Sequence, residues 1–496
     1  MSMIKVSGLT FGYEGNPDLI FDDVSFTIDT DWKLGLIGRN GKGKTTFLNL
    51  LMGKYPYSGT ITSDARFDYF PFEAPDRDED SFSMAERYVD GFQEWKLVRE
   101  VSLLDMDSSV LYMPFGTLSQ GERTKVMLAV MFLKENNFLL IDEPTNHLDM
   151  RAREAVSRYL GTKKGFIVVS HDRSFLDSCV DHILSIERTK ITVQRGNFSS
   201  WWENKNRTDA FEASENSRLE KEISRLEKSA EQTSTWASRV ESSKYHRSSD
   251  SSQDRGYIGR KSAKMMKRSI SARNRREADI QKKSALLKNI EKNEPLKMHL
   301  IPNRSGPIIE AHGLSITYGS RRIFEGVDFR LSEGDRLLLS GRNGCGKSSI
   351  IKLIEGAGIE HSGQISVRSG IVISSLPQDT SFLEGSLKEF AEASGIDRTL
   401  FMTILRKLDF KRDMFEKDMG SYSEGQKKKV LLAKSLSETA NVFIWDEPLN
   451  YIDLFSRIQI EELLLDQKPT MIFVEHDRSF AEKIATKTVE IKAPGD

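Results

Sequence analysis

Two copies of one pattern, some 300 residues apart, constrain this 496-residue chain more than anything else in it. Gly38-Arg-Asn-Gly-Lys-Gly-Lys44-Thr45 recurs 303 residues later as Gly341-Arg-Asn-Gly-Cys-Gly-Lys347-Ser348. Ile141-Asp-Glu-Pro-Thr-Asn-His-Leu-Asp149 recurs after 304 residues as Trp445-Asp-Glu-Pro-Leu-Asn-Tyr-Ile-Asp453. Ser170-His-Asp-Arg-Ser-Phe175 recurs after 305 as Glu475-His-Asp-Arg-Ser-Phe480. Order and spacing are both kept, so the halves are expected to be two copies of one domain.

Each glycine-rich segment follows an apolar run, Leu34–Ile37 or Leu337–Leu339, and precedes another, Phe47–Leu51 or Ile350–Ile354. A strand, a loop and a helix in that order form a phosphate cradle. Glycines bring backbone N–H groups round the anion, the lysine points at the β and γ oxygens, and the hydroxyl faces Mg²⁺. The candidate nucleotide-binding residues are Gly38, Asn40, Gly41, Gly43, Lys44, Thr45 and Thr46, and then Gly341, Asn343, Gly344, Gly346, Lys347, Ser348 and Ser349. Two apolar runs, Phe138–Ile141 and Val442–Trp445, each end in a pair of acids. In phosphoryl transfer to water, a strand-end aspartate can hold Mg²⁺ and the adjacent carboxylate can deprotonate the attacking water. Asp142 and Asp446 are assigned the first role, and Glu143 and Glu447 the second.

The segments Leu118-Ser-Gln-Gly-Glu122 and Tyr422-Ser-Glu-Gly-Gln426 each place a serine 23 residues before the metal aspartate. Serine followed three residues later by Glu or Gln is also a helix cap, and a helix start favours an anion, so the two readings coexist. These segments resemble the signature sequence of ABC ATPases, and with the other motifs the resemblance covers both halves. It implies an α/β fold of two tandem ABC-type P-loop ATPase domains that close head to tail on two ATP molecules. One site would join Lys44, Thr45, Asp142, Glu143 and His171 to Ser423 and Gly425. The other would join Lys347, Ser348, Asp446, Glu447 and His476 to Ser119 and Gly121. The resemblance makes His171 and His476 the switch histidines, Tyr13 and Tyr318 the adenine-stacking aromatics, and Gln378 a Mg²⁺ contact. Phe72 stands where the first half should carry the matching glutamine, so that site either lacks the contact or takes it from Glu73. Two competent but unequal sites are expected.

Domain boundaries are expected at 1–205, 206–303 and 304–496. In the middle segment Leu219, Ile223, Leu226, Ala230, Thr233, Ala237 and Val240 alternate by four and three, a coiled-coil seam. A weaker return seam runs through Met266, Ile270, Ile280 and Leu287, so a long α-helical hairpin linker is predicted, with its tip at about 243–258. From Lys244 to Arg276 there are 11 Lys+Arg against two acids, interleaved with aromatics, a pattern suited to phosphate contact and base stacking. The candidate RNA-contacting residues are Lys244, Tyr245, Tyr257, Arg260, Lys264, Lys267 and Arg268.

Such a linker is unlike the short connection of a tandem importer ATPase, and the layout resembles the ABC-F family. Within that family, Asp446–Asp453, Arg457–Leu463 and Ile258–Arg268 resemble the antibiotic-resistance members of the Lsa and Vga types. Gly38 to Ser119 spans 81 residues and Gly341 to Ser423 spans 82, so no arm is expected in the first domain, and the 20 residues after His476 suggest no C-terminal extension. The resemblance implies a cytoplasmic monomer on the 70S ribosome, touching 23S rRNA and P-site tRNA. It would release lincosamides, streptogramin A and pleuromutilins, and ATP hydrolysis would free it from the ribosome. A housekeeping translation factor of the same family is the alternative, and a membrane importer's ATPase a more distant one.

Two cysteines, Cys179 and Cys345, are too few for a disulfide framework, and neither a signal peptide nor an 18-residue apolar run is apparent. The formal net charge of −1 argues against nucleic acid only until it is divided. Residues 205–304 hold 24 Lys+Arg and 14 Asp+Glu, a net of +10, which leaves −11 on the rest. Phosphate contact should therefore concentrate in the linker. Neutralising Lys244, Lys264 and Lys267 together is expected to flatten the salt dependence of ribosome co-sedimentation, measured between 50 and 300 mM salt (roughly one to five Debye-screened conditions).

Overall fold

The computed structural model describes residues 2–15, 18–72, 78–135, 137–146, 148–187, 190–242, 267, 270, 271, 274, 275, 295–304, 306–319 and 321–492, with backbone alone over 229–242 and at 321. The chain divides into two compact units, Met1–Trp201 with Asn293–Asp496, and Trp202–Lys292.

The first unit holds the two repeated α/β halves. In the first half the strands run in the order Arg66–Phe70, Asn137–Asp142, Phe166–Val169, Lys33–Gly38, His182–Glu187 and Lys190–Arg195, parallel except for the last pair. In the second the order is Ile373–Leu376, Val442–Asp446, Met471–Val474, Arg336–Ser340 and Lys487–Glu490, all parallel. The central strands are near-continuous apolar runs because helices cover both faces. Val442, Phe443, Ile444 and Trp445 are fully buried, as are Phe166, Ile167 and Val168. A three-stranded antiparallel sheet packs beside each, formed by Phe21–Asp29, Met3–Phe11 and Ser58–Thr62, and by Arg321–Leu331, Ile309–Tyr318 and His361–Val367.

This strand order is what gathers the motifs. The strand before each phosphate loop and the strand before each acid pair both flank the strand that leads to the histidine. Asp142 pairs with Val169 and Leu36 with the same Val169. Three motifs separated by more than 100 residues therefore emerge at one edge, the carboxyl ends of parallel strands, where α/β sheets bind ligands.

Leu296 and Met298 are already buried in the second half's core, and His299–Leu300 pairs with Thr439–Ala440, so the chain packs there ahead of residue 304. In the second unit one helix, Phe198–Ser242, runs 45 residues, about 68 Å at 1.5 Å per residue. Leu219, Ile223 and Leu226 are half-buried along it, and among the return-seam residues Ile270 is exposed. Trp445 anchors the second half: its ring is fully buried and its N–H donates to Ser435 Oγ at 2.9 Å. Trp445→Ala should cost about 3–5 kcal/mol of stability and Trp445→Phe clearly less, read from urea denaturation midpoints.

Candidate nucleotide sites

Each phosphate loop turns into its helix through a glycine at positive φ, Gly43 at 97° and Gly346 at 101°. A Cβ at Gly43 would lie 2.5 Å from Ile20 Cγ2, and one at Gly346 would lie 2.7 Å from Ile323 Cγ2 and 2.8 Å from the Phe324 ring. Only glycine fits such an approach. Lys44 and Lys347 begin the helices Lys44–Leu51 and Lys347–Ile354 and are buried. Lys44 Nζ donates to Gly38 O at 2.7 Å and Asn40 Oδ1 at 3.3 Å. Lys347 Nζ donates to Gly341 O at 2.8 Å and Arg342 O at 2.9 Å. Burial lowers the pKa of Lys44, while Asp453, Glu143 and Asp142 pull it back up.

Tyr13 and Tyr318 stand exposed over these helix starts. Tyr13 shares a hydrogen bond with Thr46 Oγ1 at 2.8 Å, and Tyr318 donates to Ser349 Oγ at 3.1 Å. Neither ring is core packing, and each offers an aromatic face beside its loop.

The acid pairs lie opposite the lysines. Glu143 and Glu447 both adopt φ of 49°, a left-handed backbone that costs energy outside glycine and turns each side chain off its strand. His171 Nε2 lies 3.2 Å from Glu143 Oε1, and His476 Nε2 lies 3.4 Å from Glu447 Oε1. Beyond this the two sites diverge. In the first, Asp142 Oδ2 accepts from Thr45 Oγ1 at 3.0 Å and from the Tyr69 hydroxyl at 2.8 Å. Burial and the Asp142 carboxylate raise the Tyr69 pKa, so its proton stays and it remains a donor. Phe72 packs its ring against Tyr88 at 4.5 Å, and Glu73 is outside the described residues. In the second, Gln378 Nε2 donates to Glu447 Oε2 at 2.9 Å, and Asn450 Nδ2 donates to the same oxygen at 2.5 Å. Burial, then Asp142, pushes the Glu143 carboxyl up to about 8. Burial also raises Glu447, but the His476 hydrogen bond and the charges of His476, Lys428 and Lys347 outweigh it and hold the group below its ordinary value.

Ser119 and Ser423 cap the helices Gln120–Met131 and Glu424–Ser437 with complete capping boxes, closed by Glu122 and Gln426. Each signature reaches the opposite loop through the segment after its own acid pair. Asn40 Nδ2 donates to Tyr451 O at 3.3 Å, and a Cβ on Gly425 would lie 2.7 Å from that same oxygen. A cavity of about 330 Å³ at the second loop is lined by Lys347, Ser348, Gln378, Glu447 and His476 together with Leu148 and Arg153 of the first half. A Cβ on Gly121 would lie 3.4 Å from Leu148. The two halves therefore meet with each loop facing the other half's signature side. Of the linker residues, Lys267 is helical and exposed; Lys244, Tyr245, Tyr257, Arg260, Lys264 and Arg268 lie outside the described residues.

The family model of the ABC transporter matches twice, over residues 21–146 and 324–450. The chain belongs to the ABC transporter family. Its two ABC domains make it an ATPase. The ribosome protection protein VmlR of Bacillus subtilis is 27% identical over 491 residues, 97% of this chain and 86% of that protein. The ATP-binding protein Uup of Caulobacter vibrioides is 27% identical over 496 residues, 96% of this chain and 75% of that protein. Among solved structures, the archaeal ribosome recycling factor aABCE1 in complex with the stalk protein aP1 matches with a TM-score of 0.62 at 17% identity, covering 97% of this chain and 87% of that one. The RNase-L Inhibitor matches with a TM-score of 0.61 at 17% identity, covering 98% and 87%. These two share the fold. Among the described residues no helix is long and apolar enough to cross a membrane.

The repeat signal missed the buried charges between the ABC domains. Arg153 joins Asp172 at 3.2 Å and Arg457 joins Asp477 at 3.3 Å, while their Nε atoms donate to Leu148 O and Ile452 O. Arg173 of the first domain is paired with Glu461 of the second, and Arg478 with Glu154 at 2.7 Å. Each arginine follows a motif acid by a few residues, a signal that proximity alone could not interpret. Burial, then the nearby Asp172, pushes the Asp477 carboxyl up to about 6. A folded-state pKa above the ordinary value means stability that is full below about 4 and lost as pH rises through about 6. Asp477→Asn keeps a helix cap and removes the titration, so its stability relative to the parent should improve between pH 4.5 and about 7.5, measured by urea unfolding at each pH.

Proposed function

We propose that the protein is an ABC-F ATPase that acts on the ribosome as a protection factor. One observation carries this reading: two ABC domains that face each other across their nucleotide loops are joined covalently by a long basic helical segment instead of a short connection. The match to a ribosome protection protein over 97% of the chain supports it.

In this reading each ATP lies on one phosphate loop, its phosphates against Lys44 or Lys347 and its adenine against Tyr13 or Tyr318. Mg²⁺ suits the donor sets: a hydroxyl and a carboxylate, Thr45 with Asp142 and Ser348 with Asp446, are hard oxygen ligands, and Asp446 Oδ1 is buried without a protein partner. When bound, the ion neutralises charge on the phosphates. Gln378, which touches Glu447, is placed to contact the ion in the second site only. Glu143 and Glu447 orient and deprotonate the attacking water, with His171 and His476 behind them. Ser423 with Gly425, and Ser119 with Gly121, complete the sites from the opposite domain when the halves close.

Closure docks the protein in a vacated E site of the 70S ribosome, where linker residues 206–303 meet 23S rRNA and P-site tRNA. As an Lsa- or Vga-type member, it dislodges lincosamides, streptogramin A and pleuromutilins from the peptidyl-transferase centre, and hydrolysis reopens the halves and releases it. It works as a cytoplasmic monomer. Two measurements check this. The Glu143→Gln, Glu447→Gln double variant should co-sediment with 70S particles in ATP, and its absence from the pellet at low salt would refute ribosome binding. Expression of the parent chain should raise the inhibitory concentration of a lincosamide and a pleuromutilin. Unchanged inhibition with intact ribosome binding would point to a housekeeping translation factor.

A further inference from the structure

The second signature helix carries two charged side chains that the first lacks. Glu424 and Lys428 are one turn apart on Glu424–Ser437 and so share a face. The Thr380 hydroxyl donates to Glu424 Oε2 at 2.6 Å. Lys428, only 2% exposed, donates from Nζ to Pro377 O at 2.9 Å, Gln378 O at 3.4 Å and Asp446 O at 3.1 Å. Asp446, Glu447, Glu475 and Glu424 all lie close enough to favour its charge. The loop that bears Gln378 is thus tied at both ends to one helix face, and the same ammonium holds the end of the strand that bears Asp446.

The first domain has Gln120 and Thr124 at these positions. The Thr124 hydroxyl turns back to Gln120 O of its own helix at 3.0 Å, and the matching loop residue Phe72 packs on Tyr88. No lysine takes up the carbonyls there, although the fold of the two domains is otherwise repeated.

We propose that Lys428, with Glu424, is a positioning residue of the second ATP site: it pins the carbonyls of Pro377, Gln378 and Asp446 so that the Gln378 amide meets Glu447 in register. An ammonium with three donors suits this task, because three main-chain oxygens from two segments converge on one point, and a buried charge with its partners in place resists displacement. The helix that supplies it also begins with Ser423 and Gly425, so in the second domain the Gln378 loop and the signature form one body. In the first domain they are separate.

The inference rests on Glu143 and Glu447 being the bases of the two sites, and the test separates the two claims. ATP turnover is measured on the full chain in a Glu143→Gln background, which leaves the second site, and in a Glu447→Gln background, which leaves the first. Lys428→Thr, the residue of the first domain, should lower kcat at the second site by about tenfold or more, with KM within about twofold, since a misplacement of ~1 Å can cost ~10² in rate. Lys428→Arg, which keeps donors for the carbonyls, should recover most of it, and turnover in the Glu447→Gln background should change by less than about twofold. An equal fall in both backgrounds, or no fall at the second site, overturns the proposal. If neither Glu143→Gln nor Glu447→Gln lowers turnover, the assignment of bases fails instead. Amide exchange over residues 376–381 gives an independent reading if Lys428→Thr is poorly folded or a background is silent. Thr380→Val, which cuts the other tie without baring a charge, and Lys428→Thr should each speed exchange there relative to 70–72. Unchanged exchange in both overturns the proposal.

Discussion

The face between the two ABC domains depends on buried charge. Arg153–Asp172, Arg457–Asp477, Arg173–Glu461 and Lys429–Asp453 are ion pairs whose members are all nearly excluded from water. A buried pair gives little net stability, but breaking one leaves a charge that nothing solvates. Such pairs therefore specify an arrangement more strictly than apolar surface does, because an apolar face can slide by a few ångströms and a guanidinium–carboxylate contact cannot. Two of the pairs tie the segment after the acid pair to the residue after the switch histidine, within 5 residues of catalytic candidates on either side. Asp453 extends the same network: it caps its own helix, accepts from Lys429 at 3.0 Å, and its charge bears on Lys44 and His171 of the other domain. Nucleotide chemistry and domain contact are in this way one electrostatic problem.

Duplication supplied two sites with the same frame and unequal detail. Both keep the left-handed glutamate, the histidine behind it and the glycine approach at the helix start. They differ in what completes the acids, a tyrosine hydroxyl on Asp142 in one and a glutamine amide on Glu447 in the other. Differences of one side chain shift the local field enough that Glu143 and Glu447 depart from the ordinary value in opposite directions. In a frame this repetitive, such departures are the natural place to look for a division of labour.

The near-neutral total conceals a similar separation on a larger scale. The acidic ATPase body and the +10 linker have opposite fields, and a polyanion would meet them differently. Charge counted over a whole chain averages away the feature that matters for binding.

Much was legible in the residues alone. Repeated motifs with kept spacing determined two α/β domains, their phosphate loops and their acids, because nucleotide chemistry needs particular residue types at short, local separations. Alternation by four and three likewise foretold the helix Phe198–Ser242. What only the tertiary structure decided lies where partners are far apart in sequence. Tyr69 reaches Asp142 across 73 residues, Lys428 reaches Pro377 across 51, and Arg173 reaches Glu461 across 288. No local pattern marks such residues, since a tyrosine in a strand or a lysine in a charged helix has an ordinary reading until the fold brings its partner. The sequence determined what chemistry the chain carries; the packing of parallel strands and buried ion pairs decided which side chains complete each site and made the two sites unequal.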